Sequence, residues 1–213
     1  MIEYPSVLKS SRAPHLDAIA FDKLDGSNVR VKYTKKKGFH LFGSRHQLFD
    51  ETHSFLAPAI PSFQSRYAEF LEKEFHDNKL FEGAKEIVAF GEFVGEKSFA
   101  GYHDAEDETK KFVLFDLMVI FKSHQQFILP QDFVKLTEDK VEIPKIIFRG
   151  KMGPEFIQNV RDDLFGTFEG VICKGTSYSG QFPGKVWMAK IKTTRYLNSL
   201  KEKFKDEWEK YGE

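Results

Sequence analysis

Val29, Val31 and Tyr33 alternate with Asn28, Arg30 and Lys32 along Ser27–Thr34, the two-residue period of a half-buried strand. Lys36–Gly38 reads as a turn and Phe39–Arg45 as the returning strand, so this stretch predicts a hairpin. Glu86–Val94 and Lys111–Phe121 are rich in apolar, β-branched and aromatic residues and predict buried strands, and Phe168–Lys174 and Val186–Lys192 predict two more. Helical spacing takes over elsewhere. Pro61 is followed by Phe63, Tyr67, Phe70, Leu71 and Phe75, and Pro154 by Phe156, Ile157, Val160 and Leu164, each with proline at a first-turn position. From Thr194 to about Tyr211, Leu197, Leu200, Phe204 and Trp208 form one apolar stripe between lysines and glutamates. Strands and helices follow no regular βαβ alternation, so the pattern predicts an α+β fold of mainly antiparallel sheets with flanking helices. Thr176–Gly184 is turn-rich but too short to separate domains, and one compact domain is expected.

A chain of 213 residues can bury about 70% of its unfolded surface without disulfide or metal staples. Its 23 phenylalanines predict an aromatic core. The 32 basic and 32 acidic residues balance, which excludes coating of nucleic acid by bulk charge; a polynucleotide partner needs a local basic patch. With Cys173 the one cysteine, no internal disulfide or cysteine-based zinc site can form, which fits a reducing compartment. The N-terminal stretch lacks a signal-peptide pattern and no apolar run reaches membrane-spanning length. A cytoplasmic protein without a membrane partner is the expectation.

The candidate chemistry begins at Lys23-Leu24-Asp25-Gly26-Ser27-Asn28. Gly26 permits a tight turn before the strand, where a ligand can approach Lys23. Lysine attacks phosphorus only as a neutral amine, and with a reference pKa of about 10.4 it needs a nearby cation or a partly desolvated pocket. An exposed lysine on a β-turn is the plainer reading of this stretch. Gly43-Ser44-Arg45 places an arginine near the end of the predicted hairpin. Glu92 within AFGEFVG, Asp116 within FVLFDLMVIF, and Glu169 ahead of Gly170-Val171-Ile172-Cys173-Lys174 put carboxylates into apolar runs. Such placement is costly unless each faces a cleft, a metal or a polar ligand. Lys190 and Lys192 share one face of their strand. Glu169 and Lys174, five apart, fall on opposite faces of an ideal strand, so a bulge or a strand end between them is needed for both to reach one ligand.

In this order, Lys23-x-Asp25-Gly26, Gly91-Glu92, Phe115-Asp116, Glu169-Gly170 through Lys174, and Lys190-x-Lys192 resemble the successive motifs of the covalent nucleotidyltransferases, the superfamily of ATP-dependent DNA ligases, RNA ligases and mRNA capping enzymes. The opening EYPSVLKS, Gly43-Ser44-Arg45 and the Ser27-Asn28 ending are similar to RNA ligases of the phage and RNA-editing type. About 20 residues follow Lys192, too few for the OB-fold domain of DNA ligases and capping enzymes, so a minimal form lacking a large C-terminal domain is expected. The domain expectation is an adenylyltransferase domain over residues 1–192 and a C-terminal helix over 193–213.

The resemblance implies the ligase/capping-enzyme nucleotidyltransferase fold (ATP-grasp-like), with ATP and Mg²⁺ or Mn²⁺ as cofactors and RNA ends, including those of a nicked duplex, as partners. It implies that Lys23 takes up AMP, that Lys190, Lys192 and Lys174 contact phosphate, and that Phe115 stacks on adenine. Backbone near Asp22 and Lys23 would read the adenine edge. Arg45 would contact ribose or the 5′-phosphate, and Asn28 would orient a water or phosphate. Glu92 and Glu169 would hold the metal through water, with Glu92 alternatively on ribose hydroxyls, and Asp25 and Asp116 would orient other groups. Lys32, Lys35, Lys36 and Lys37, and Lys201, Lys203 and Lys205 on the last helix, are candidate RNA contacts. The acidic Asp104–Glu108 reads as a solvent loop facing away from RNA. Rival readings are a DNA ligase or GTP-using capping enzyme, and a non-catalytic RNA or nucleotide binder. A partner supplying end recognition is a further expectation.

Overall fold

The hairpin predicted from alternation is the centre of the first of two units into which the chain folds. The computed structural model describes residues 1–177 and 185–210. The first unit comprises Met1–Pro5, Asp25–Ile128 and Asp132–Ile143; the second comprises Ser6–Leu24, Leu129–Gln131 and Pro144–Glu213. Residues 178–184 of the turn-rich stretch, and 211–213 at the end of the expected last helix, lie outside the described residues.

In the first unit, β3 (Ser27–Thr34) pairs antiparallel with β4 (Gly38–Gly43) on one side and β6 (Glu86–Val94) on the other. The six-stranded sheet is completed by β5 (Leu48–Phe49), β7 (Lys111–Ile120) and β8 (Gln125–Phe127), in the order β5-β4-β3-β6-β7-β8. Val29 and Val31 are fully buried and Tyr33 nearly so. This face meets a helical stretch: α1 (Ala59–Phe63), a π-turn (Gln64–Ala68) and α2 (Glu69–Asp77). The expected aromatic core is here, with Phe63 edge-on to Phe112 at 5.2 Å and Tyr33 edge-on to Phe75 at 5.1 Å. Pro61 stands two residues inside α1 rather than opening it. On the opposite face, Met1, Ile2 and Tyr4 pack with Val88, Phe90 and Met118.

The second unit holds a five-stranded sheet of order β1-β11-β10-β2-β9: β1 (Leu8–Lys9), β2 (Asp17–Asp22), β9 (Ile146–Lys151), β10 (Gly170–Ser177) and β11 (Lys185–Lys192). All its pairings are antiparallel except β1 with β11. Ala18, Ala20, Val171, Cys173, Trp187, Ala189 and Ile191 turn to one face and cluster with Phe156 and Val160 of α4 (Pro154–Arg161). By the two-residue period, Ile19, Phe21, Ile172, Lys174, Met188, Lys190 and Lys192 turn to the other. Leu164, expected on α4, lies beyond its end and is exposed. A short α3 (Pro130–Thr137) begins in the second unit and ends in the first, and α5 (Thr194–Phe204) continues into a 3₁₀ segment to Lys210. The α+β class with mainly antiparallel sheets is as the sequence pattern predicts. Among the described residues no helix is long and apolar enough to cross a membrane.

Candidate active site

In the second unit, the site is built where β10 begins beside the end of β11. Register pairs Gly170 with Lys192 and Ile172 with Lys190. Gly170 sits at φ +137°, and a Cβ there would collide with the Ile191 carbonyl oxygen, so only glycine lets the two strands approach this closely. The turn at Gly170 re-aims Glu169, which precedes the strand. Glu169 thereby avoids the face conflict expected from its five-residue spacing to Lys174. One carboxylate oxygen, Oε2, lies 2.8 Å from Lys23 Nζ, and the other, Oε1, lies 2.8 Å from Lys192 Nζ. Glu169 and Lys192 are buried; the Lys23 side chain keeps 22% of its surface. Backbone bonds fix the frame. Lys23 N–H donates to Gly170 O at 2.9 Å and Thr193 N–H to Glu169 O at 3.0 Å. The Thr193 hydroxyl donates to Phe168 O and also accepts from Tyr196 N–H as the N-cap of α5. Capping the helix and holding the Glu169 segment are therefore done by one residue, and its signal was a threonine directly ahead of a helical stripe.

Lys174 is buried on the same sheet face as Lys190 and Lys192, with Nζ 5.4 Å from the Phe21 ring centroid. Lys192 Nζ stands 4.7 Å from the Tyr196 centroid. Asp22 pairs in register with Val171, and burial pushes its carboxyl above the usual range, with Lys145 opposing and Glu169 reinforcing the shift. Two buried or half-buried lysines thus share one carboxylate, with further lysines along the same face. This is a surface suited to a dense negative charge.

Of the remaining sequence-selected residues, Lys201 and Lys203 on α5 and Lys205 just past its end lie in the second unit, and the others lie in the first. Asn28 faces Glu92 across the β3–β6 pairing, and its Oδ1 is buried without a hydrogen-bond partner among the described residues. Asp25 Oδ2 accepts from Ala100 N–H at 2.9 Å. Asp116 opposes Phe90 and Leu114 opposes Gly91, so Phe115 is the extra residue of a bulge in β7. The bulge turns Phe115 and Asp116 to the same face. Tyr4, marked only as part of the opening EYPSVLKS, meets both: its ring is edge-on to Phe115 at 5.0 Å and its hydroxyl donates to Asp116 Oδ2 at 2.9 Å. Arg45 is exposed on the turn between β4 and β5. Lys32 pairs with Glu86 at 2.7 Å, and Lys35, Lys36 and Lys37 are exposed at the tip of the β3–β4 hairpin. Of the acidic Asp104–Glu108 stretch, Asp107 departs from the expected solvent loop. It is buried and is held low, at about 2, by the Thr109 hydroxyl and by the Lys97 and Thr109 N–H groups that it accepts from.

A family model described as RNA ligase matches residues 17–192. The chain belongs to the RNA ligase family. The match begins at β2 and ends on Lys192, so it spans every residue of the Lys23–Glu169–Lys192 arrangement. Among solved structures, this family member is similar to the Naegleria gruberi RNA ligase with PPi, at 21% identity and TM-score 0.64 over 94% of this chain. It is also similar to a putative ATP-dependent DNA ligase from Aquifex aeolicus (18%, 0.62, 98%) and to an archaeal ATP-dependent RNA ligase (14%, 0.60, 95%). The chain spans 58%, 56% and 51% of those three chains respectively. No protein of curated function matches the sequence significantly. At these identities the likeness establishes the nucleotidyltransferase fold.

Proposed function

We propose that this RNA ligase-family chain joins a 3′-OH to a 5′-phosphate RNA end at the expense of ATP. The observation that carries the reading is Lys23 Nζ and Lys192 Nζ on the two oxygens of one buried carboxylate, within the span that the family model matches. Relatives of the same fold support it: variants of the Naegleria ligase have been captured with AMP and Mn and with ATP and Mn.

Triphosphate arriving at the lysine-lined face competes with Glu169 for Lys192 and is met by Lys190 and Lys174 on the same face. Redirecting Glu169 releases the Lys23 ammonium group, which gives a proton to water and attacks the α-phosphorus as the neutral amine. The P–N bond forms as the P–O bond to pyrophosphate breaks, and the lysines stabilise the charge that gathers on the phosphoryl oxygens. AMP then passes to the 5′-phosphate, and a 3′-OH displaces it. A divalent ion would neutralise the leaving phosphates. No group of three or more potential acidic, histidine or cysteine ligands occurs among the described residues, and both Glu169 oxygens already carry lysines. That donor set fits an ion which keeps its own waters, with Glu169 accepting from them. In the first unit, the unsatisfied Asn28 Oδ1 fits a hydroxyl or water donor, Glu92 a ribose or metal-bound water, and Phe115 the adenine ring.

Incubation with α-labelled ATP or GTP followed by denaturing electrophoresis tests the proposal. Label from ATP alone, lost in Lys23→Ala, supports it; label from GTP alone, or none, refutes it. The likeness to a DNA ligase fold is addressed by nicked duplexes with RNA or DNA at the 3′-OH side; sealing of DNA alone would assign the other substrate.

A further inference from the structure

In the first unit, residues 95–110 connect β6 to β7 and fold back on the turn that follows the nucleophile. Their base is pinned by Asp107, which accepts from Lys97 N–H and Thr109 N–H, each at 2.9 Å. Their tip is a two-residue turn. Phe99 and Tyr102 exchange both backbone hydrogen bonds, and Ala100 and Gly101 between them have φ of 52° and 79°. Two positive φ values define the tightest hairpin turn, and an alanine in the first position is strained. The strain is offset by what the tip holds. Ala100 N–H donates to Asp25 Oδ2 at 2.9 Å, and the Ser27 hydroxyl donates to Gly101 O at 3.4 Å. His103, buried against Phe93 with ring centroids 5.3 Å apart, places Nε2 2.8 Å from Ser27 Oγ and Nδ1 3.1 Å from Ser98 Oγ.

One proton arrangement satisfies all three groups. Ser27 donates to Gly101 O and accepts from His103 Nε2–H, and Nδ1 accepts from the Ser98 hydroxyl. On its other side, the Asp25–Ser27 turn touches β6: a Cβ on Gly26 would collide with the Phe93 carbonyl oxygen. Asp25, Gly26 and Ser27 are therefore held between a strand and a strained hairpin tip. Lys23 lies two residues upstream in the chain.

We propose that His103 is a positioning residue for lysine adenylylation. Through Ser27 it fixes the turn from which the chain runs back to Lys23, and so narrows the orientations open to the nucleophilic amine. It touches neither ATP nor RNA. The inference rests on the ligase reading, and its test separates the two.

In the full-length protein, His103→Ala should slow transfer of α-labelled AMP to Lys23 at least tenfold, with KM for ATP within twofold of wild type. His103→Gln, whose amide nitrogen can replace Nε2 toward Ser27, should recover the rate to within threefold. Sealing of a pre-adenylylated RNA end, which needs no lysyl-AMP, should stay within twofold in His103→Ala. Wild-type adenylylation in His103→Ala, or equal slowing of both reactions, overturns the proposal. Imidazole ¹⁵N chemical shifts read the contact without any activity: a fixed Nε2–H tautomer supports it, and averaging between tautomers overturns it even if the chain proves to be an active ligase. Absence of label in the wild-type chain overturns the ligase reading and the rate effect together.

Discussion

Glu169→Gln is the substitution whose cost the structure sets most directly. It keeps the shape of the side chain and removes the charge between Lys23 and Lys192. The bridge to Lys192 is shielded: the two side chains are 4% and 6% exposed at a separation of 2.8 Å. Removing one partner of a buried pair costs about 3–5 kcal/mol, because the other charge stays buried without its counter-ion. The bridge to Lys23 adds little. That side chain is 22% exposed and its ammonium can turn to water, so it belongs with surface pairs worth about 0.2–1 kcal/mol. The expected loss is thus about 3–5 kcal/mol, or about 6–20 °C in Tm for a chain of this size. Lys192→Met should cost less, because Glu169 keeps Lys23 as a partner. Glu169→Gln with Lys192→Met should recover most of the loss, since no buried charge is left alone. Thermal melts followed by circular dichroism rank the three proteins. A Glu169→Gln Tm within about 2 °C of wild type, or a double variant less stable than Glu169→Gln, refutes the shared-carboxylate account.

Gly26→Ala drives a methyl group into the Phe93 carbonyl oxygen and should cost about 1–3 kcal/mol on overpacking alone, read by urea unfolding. Tyr4→Phe leaves Asp116 without a hydroxyl donor and should cost about 1.5–3 kcal/mol in the same assay. Burial, with Lys110 assisting and Asp107 opposing, holds the His103 imidazole below its usual range. Its unfolded form therefore binds the extra proton first, and stability should fall as pH drops below about 6.5; His103→Gln should flatten that slope in melts across pH 5–8. Asp22 runs the other way. Its folded carboxyl is raised, so the fold is penalised as pH climbs above about 4 through the raised value, and Asp22→Asn should remove that penalty.

Elements with alternating faces, such as Ser27–Thr34, and long apolar runs, such as Glu86–Val94 and Lys111–Phe121, could be read from the chain. Ser27–Thr34 and Glu86–Val94 appear with the predicted boundaries, and Lys111–Ile120 is one residue shorter than predicted. β2 gave neither signal: Ala18, Ile19, Ala20 and Phe21 are buried in succession, so alternation disappears, and the apolar run is short, flanked by Asp17 and Asp22. β9 and the eight-residue α3 also went unread; the latter is too short for a convincing helical period. The lysines and Glu169 were found by residue type and order. Their geometry was not, since Glu169 and Lys192 meet only through the antiparallel pairing of Gly170 with Lys192. His103 was hidden beside an acidic stretch read as solvent loop, and its partners Ser27 and Ser98 are ordinary residues whose contacts come from tertiary folding.

The discontinuous build of the second unit has a consequence for how the molecule comes into being. Lys23 is translated long before the carboxylate and lysine that complete its surroundings, Glu169 and Lys192. At synthesis rates of about 5–20 residues per second, Lys23 waits roughly 8–34 s for both partners. Most of the first unit emerges in that interval as one inserted stretch, Asp25–Ile128. Lys23 is thus made early and its charged surroundings are completed last, and a nascent chain stalled before β11 carries Lys23 and Glu169 without Lys192.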